Sequence, residues 1–245
     1  YFTSAPENYE IHSFVSEGPD IVVTPAEHKG RGVLHSHSFY EIVYVAEGFT
    51  LHQSCGRITM LITGDFFFVK PGEVHSYINA YQTKLYNLLF VPAALGDSFS
   101  ALSALPGLDE MFSPSGESLD PTHRLLHVSI GERRNIESAL EKMIGERENK
   151  NVGWEVSLGA RLTSLLIKYA RMYDEHSAGG KKRSDNDYYG YIYKLLCYVD
   201  KHYAEDLTTA ELSEVTGLSP DYMTRKFKAI LGMTPVEYLR KFRIA

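Results

Sequence analysis

Cysteine and tryptophan are scarce in this sequence, with two Cys and one Trp among 245 residues. Cys55 and Cys197 stand far apart, so no disulfide framework and no CxxC metal pair is expected, and a reducing, cytoplasmic setting fits best. No apolar run approaches the ~20 residues that a membrane-spanning helix needs. No charged segment followed by an apolar one opens the chain, so no signal peptide is expected. An excess of positive charge is missing as well. Lys and Arg number 25 against 31 Asp and Glu, a net −6, which excludes a uniformly basic nucleic-acid coat. The nucleophile motif GxSxG, the phosphate-cradling GxxxxGK(S/T), the dinucleotide fingerprint GxGxxG and the zinc motif HExxH are all absent, so those enzyme classes have no footing here.

Apolar residues are 44% of the chain and charged residues 23%, which affords a sizeable core and excludes wholesale disorder. The charge is unevenly spread. From Tyr188 onward there are 8 Lys and Arg against 7 Asp and Glu, so the first 187 residues carry −7. Residues 222–245 hold six basic residues against Glu237 alone. An acidic body with a locally basic tail points to nucleic-acid contact, although a solvated helix face has the same signature.

From about Ile11 to Ile130 the pattern is that of short strands. Ile21-Val22-Val23, Glu41 to Val45 and Phe66 to Val69 are rich in β-branched and aromatic residues and are punctuated by Gly48, Gly64 and Pro71-Gly72. Many short, closely spaced strands suggest a sandwich or barrel. After Gly131 the period becomes helical. Ile136, Leu140 and Met143 form one stripe, and Leu158, Leu162, Leu165, Leu166 and Tyr169 a second. Such a pair must cover the barrel, each other or a second subunit. Residues 177–187 hold one Ala among polar residues and Gly and read as a linker.

Residues 188–245 read as four helices. Thr208 to Glu211 and Thr234 to Glu237 are capping boxes, and Thr216-Gly217-Leu218 is a tight turn. Ser219 and Pro220 open a helix whose inward stripe is Met223, Phe227, Ile230 and Leu231, stopped by Gly232. A short helix, a glycine turn and a capped second helix make a helix-turn-helix. The outward residues of the second helix are Asp221, Tyr222, Thr224, Arg225 and Lys228, with Lys226 beside them. Arg225 and Thr224 suit base edges, Lys226 and Lys228 suit phosphates, and Asp221 suits either cytosine or the helix dipole.

Residues 206–245 resemble the DNA-binding domain of AraC/XylS-type transcription regulators, through Ala210, Ser219, Met223, Arg225, Phe227-Lys228, Leu231-Gly232, Pro235, Tyr238-Leu239 and Arg243-Ile244. The resemblance implies that Asp221, Thr224 and Arg225 face bases. That family has two helix-turn-helix units joined by a long helix. This sequence ends inside the joining helix, so weak DNA binding is the expectation.

The strand region has a second constellation: His35, His37, Glu41 and Gly48, then Gly64, Pro71-Gly72, His75 and Asn79. It resembles the two cupin motifs, with Gly30 and Pro71 each displaced by one residue. Alternate strand positions share a face, so His35, His37 and Glu41 point one way. Three imidazoles and a carboxylate suit one divalent transition metal. In the sensor halves of AraC-type regulators the barrel binds a small effector, often a sugar and often without metal, so His35, His37, Glu41, His75 and Tyr77 are also effector-binding candidates, with His52 and Tyr86 as further aromatics.

The expected architecture is multidomain α+β. It comprises a cupin-like effector-sensing barrel (1–130), a helical hairpin for homodimerisation (131–176), a linker (177–187) and a partial AraC-type helix-turn-helix domain (188–245). The expected function is transcription regulation on operator DNA, governed by a small effector such as a carbohydrate, with no membrane partner and no catalysis. The alternative is a metal-dependent cupin enzyme, a dioxygenase or isomerase, with a helical tail.

Overall fold

A computed structural model describes residues 7–15, 17–30, 32–54, 57–113, 125–178, 190–231 and 233–243. Most of the expected linker, together with Cys55 and Gly232, lies outside the described residues. So do the side chains of Asn79 and Ile230. The chain divides into two compact units, Tyr1–Lys181 and Lys182–Ala245.

The first unit is built on one curled sheet of eight strands: β1 (Glu7–Tyr9), β2 (Ile21–Gly30), β3 (His35–His37), β4 (Tyr40–Ser54), β5 (Arg57–Ile62), β6 (Asp65–Val69), β7 (His75–Phe90) and β8 (Leu125–His127). Its spine is the long antiparallel ribbon of β4 and β7, paired from Tyr40↔Phe90 to Ser54↔His75. Register shifts between Val45 and Leu51 bend it. β4 pairs with β6 over Glu41–Tyr44 and with β5 over Phe49–Ser54.

The two faces of the sheet sort by parity. Tyr40, Ile42, Tyr44, Phe66, Phe68, Leu88 and Phe90 face the helices. Val43, Val45, Leu61, Phe67, Val69, Tyr77 and Leu85 pack together on the opposite, inner face. Both faces are covered, which is why Phe66-Phe67-Phe68-Val69 reads as a continuous apolar run.

Two helices cover the outer face: α3 (Ile130–Asn149) and α4 (Trp154–Ala178). Both stripes foreseen for this hairpin, including Ile136, Leu140, Met143, Leu158, Leu162 and Leu166, are buried in the core shared with the sheet. The strand-rich reading of 11–130 needs one correction. Pro92–Leu95 is a 3-10 turn, and α1 (Ser98–Leu102) and α2 (Leu108–Phe112) are helices. Each is too short to show a helical period, but Leu102, Leu105, Leu108 and Met111 recur every three residues and mark the buried side.

The turn between α3 and α4 holds the lead-in to β2. The Trp154 indole lies so close to Gly18 that a Cβ there would stand 2.2 Å from it. Gly18 is also left-handed, with φ 78°. Arg147 donates to the carbonyl oxygens of Glu17 and Pro19, and Lys150 pairs with Glu17.

The second unit contains α5 (Gly190–His202), α6 (Thr209–Thr216), α7 (Pro220–Leu231) and α8 (Pro235–Phe242). Both capping boxes form: Thr208 with Glu211, and Thr234 with Glu237. Gly217 ends α6 in the left-handed region at φ 68°. Ile192, Leu195, Leu196, Val199, Leu212, Met223, Phe227, Leu231, Tyr238 and Leu239 are buried. No helix among the described residues is long and apolar enough to cross a membrane.

Leu162→Ala empties a fully buried position and should lower the unfolding free energy of the first unit by about 2–5 kcal/mol. Val156→Ala, on an exposed position of the same helix, should change it by less than about 0.5 kcal/mol. Chemical denaturation of the two variants checks both values.

Candidate metal centre and nucleic-acid interface

The ribbon explains how residues distant in register come to meet. Glu41 pairs with Leu89, fourteen residues along β7 from His75. On a straight strand these would lie about 46 Å apart. Instead Glu41 Oε2 is 3.4 Å from His75 Nε2. The ribbon has coiled until its ends touch. β3 bridges the seam: His35 pairs with His75 at one end of β7, and Tyr40, five residues on, pairs with Phe90 at the other. Gly72 N donates to the His37 carbonyl oxygen at 2.7 Å across the same seam.

Each of the three imidazoles is held by a backbone carbonyl. Nδ1 of His35 donates to Val33 O at 2.9 Å, Nδ1 of His37 to Phe39 O at 2.7 Å, and Nδ1 of His75 to Glu73 O at 3.1 Å. A carbonyl only accepts, so each Nδ1 carries the proton and each ring presents Nε2 to the cluster. This is the outer-shell arrangement that orients metal-ligating histidines. His35, Glu41 and His75 each offer a ligand atom, all within 4.8 Å of one another. His37 stands beside this trio with Nε2 3.0 Å from Glu41 Oε2. At bonds of about 2.1 Å, ligand atoms on one ion are spaced about 3.0–3.4 Å apart. Glu41 Oε2 stands at that spacing from Nε2 of both His75 and His37, and this donor set of imidazoles and a carboxylate suits a transition metal.

The electrostatics follow from burial and pairing. Burial pushes the Glu41 carboxyl up, but hydrogen bonds from His37 and His75 outweigh it and hold the group well below the usual carboxylate range. Burial pushes His75 down, but the Glu41 hydrogen bond and charge prevail and raise it. His35 is lowered, first by burial and then by the neighbouring His75.

The aromatic candidates separate. Tyr77 and His52 pair in register, are buried on the inner face, and stand 5.3 Å apart by ring centroid. His52 is also 5.3 Å from His75, so it extends the cluster inward. Phe67 packs on His52 at 4.6 Å and fills the adjoining space. Tyr86 is not brought to the cluster. It lies near Tyr44 and reaches toward Glu141 of α3.

On the second unit, Asp221, Tyr222, Arg225 and Lys228 are exposed on α7, and Thr224 and Lys226 are half-buried. The Arg225 guanidinium lies over the Tyr222 ring at 5.4 Å, and Lys226 Nζ lies 5.7 Å from it. Arg225 and Lys226 thus both lie against Tyr222 on α7. Arg243, counted with the basic tail, has a different use: its guanidinium donates to the carbonyl oxygens of Tyr203 and Glu205.

A curled cupin-like sheet followed by a helix-turn-helix unit defines the class of ligand-binding transcription regulators. Residues 19–166 match the AraC-like ligand binding domain, and residues 199–240 match the bacterial regulatory helix-turn-helix proteins of the AraC family. The chain belongs to the AraC family and is a DNA-binding transcription regulator with a ligand-binding domain. It is 26% identical over 210 residues to the HTH-type transcriptional activator RhaR of Klebsiella pneumoniae, covering 86% of this chain and 70% of that one. It is 24% identical over 237 residues to the activator RhaS of Citrobacter koseri, covering 96% and 80%. A crystal structure of an apo ToxT variant from Vibrio cholerae aligns over 89% of this chain and 96% of its own, at 9% identity and a TM-score of 0.42.

The cluster makes a signed prediction for the metal-free protein. A lowered Glu41 adds stability that is present above its ordinary value of 4.5 and fades as pH falls below it. A raised His75 adds stability that is present below its ordinary value of 6.5 and is lost as pH rises through the raised value. The difference in melting temperature between the unsubstituted chain and Glu41→Gln should therefore be largest between pH 4.5 and 6.5. A difference that stays flat with pH would contradict this account.

Proposed function

We propose that this regulator works in the cytoplasm as a homodimer whose first unit senses a small, polar, sugar-like effector beside one divalent transition metal, and whose α7 reads operator DNA. The observation that carries the reading is the convergence of His35, Glu41 and His75, with each imidazole already aimed by a carbonyl. These residues would hold the metal, which when bound supplies a Lewis-acidic anchor for an oxygen-bearing effector. Glu41 offsets part of its charge. His35, the only one of the three that reaches the surface, lies at the point of entry. His37, Tyr77 and His52 orient the ligands and complete the polar wall.

On α7, Asp221, Thr224 and Arg225 would read base edges and Lys226 and Lys228 would meet phosphates, with Tyr222 beside Arg225. The homodimer reading rests on the face of α4 turned away from the sheet. There Ala160, Thr163, Ser164 and Ile167 floor a groove of about 670 Å³ bordered by Glu132, Lys168, Arg171 and Glu175, whose mixed charges would pair with a second copy. An effector switches the regulator only if it binds two states of the protein with different affinity.

Two measurements test the reading. Elemental analysis of protein purified without a metal-affinity tag should find close to one equivalent of transition metal per chain, lost in His75→Ala; none would remove the metal. For DNA, sites are selected from a random duplex library. Arg225→Ala should then reduce discrimination at one base pair by about 1–3 kcal/mol. Lys228→Ala should weaken all sites alike and lower the salt dependence by about one counterion.

A further inference from the structure

Arg225 is held on α7 by a ring and not by a carboxylate. Asp221 stands one helical turn before it, the spacing at which an acid and an arginine pair on a helix. Yet neither side chain makes a hydrogen bond or ion pair among the described residues. What the Arg225 guanidinium meets is Tyr222, with its central carbon 5.4 Å from the ring centroid. Tyr222 is 40% exposed, and its hydroxyl has no hydrogen-bond partner among the described residues. Lys226 Nζ lies 5.7 Å from the same ring. Two cations against one ring show that its face gathers them, without help from the hydroxyl. A guanidinium is planar and carries its five donors along its edge. An aromatic face attracts it through the ring quadrupole and occupies none of those donors. A carboxylate occupies two at once.

Resting on the reading of α7 above, we infer that Tyr222 is a positioning residue for base recognition: its ring holds Arg225 in place and off Asp221, so that the donor fork of one and the acceptor oxygens of the other both stay open to bases. Bidentate pairing with guanine O6 and N7 needs two donors from the edge of the fork. An Arg225 closed on Asp221 would have to break that pair at every encounter with DNA, and Asp221 could not then accept from cytosine N4. An unbraced arginine also loses rotamer freedom when it binds. The ring lowers that loss, because the side chain is already restricted before the duplex arrives. Since Tyr222 acts through its face, the ring is required and the hydroxyl is not.

A double-mutant cycle in the full chain tests this, read as the ratio of affinities for a selected duplex and for the same duplex changed at one base pair. Arg225→Ala identifies the pair that Arg225 reads, as the one where discrimination is lost. Tyr222→Ala and Tyr222→Leu should each reduce discrimination at that pair by about 2–5-fold, the size of an exposed cation–π contact, and leave unchanged the pairs that neither Arg225 nor Asp221 reads. Tyr222→Phe should keep it. In an Arg225→Ala background, Tyr222→Ala should have no further effect at that pair. Full discrimination in Tyr222→Ala or Tyr222→Leu would overturn the brace. A loss in Tyr222→Phe equal to that in Tyr222→Ala would assign the effect to the hydroxyl. A Tyr222→Ala effect that persists without Arg225 would make Tyr222 a DNA contact in its own right. Each of these three overturns the inference and leaves the reading of α7 standing. An unsubstituted chain that discriminates at no base pair, or discrimination that Arg225→Ala leaves unchanged, would overturn the reading of α7, and this inference with it.

Discussion

The contact between Glu41 and His75 is the constraint on which the first unit is organised. It joins the two ends of a single two-stranded ribbon, so it exists only if the ribbon coils through its full length. Coiling needs the bulges between Val45 and Leu51, and it leaves an apolar outer face that the α3–α4 hairpin must cover. A buried carboxylate is tolerated there because two imidazoles pair with it. The polar cluster, the curvature of the sheet and the placement of the helices are thus one arrangement seen at three scales.

The second unit depends on local signals instead. Each helix start is written in a few residues: Thr208 with Glu211, and Thr234 with Glu237. The left-handed Gly217 sets the turn, and Met223 and Phe227 bury one side of α7. With the inward side so determined, the outward residues follow from the 3.6-residue period. That is why the sequence period alone places Asp221, Tyr222, Arg225 and Lys228 on the side that the structure leaves exposed.

The same economy does not extend to the first unit. Strand alternation placed His35, His37 and Glu41 on one side, although a bend at Ser38 and Phe39 separates β3 from β4. Alternation carries no information about distance across a closed sheet. It therefore could not separate His37, stacked on Phe39, from the converging trio. Alternation does separate Tyr77 from Tyr86: they stand nine residues apart on β7, so Tyr77 faces inward and Tyr86 faces the helices. The helices α1 and α2 were hidden for another reason: five residues show less than two turns of periodicity. The hairpin stripes were legible as apolar, but only the tertiary structure shows that the sheet itself covers them.

The clamp at Gly18 has a consequence for observation. Trp154 is the chain's only tryptophan, and its indole is closed in by Gly18 on one side, with Arg147 and Lys150 near its ring. The molecule therefore carries a single indole fluorophore, excitable apart from its 17 tyrosines and placed where the lead-in to β2 meets the turn of the hairpin. Its emission colour is a built-in gauge of whether that junction is shut, legible without a label and undiluted by any second indole.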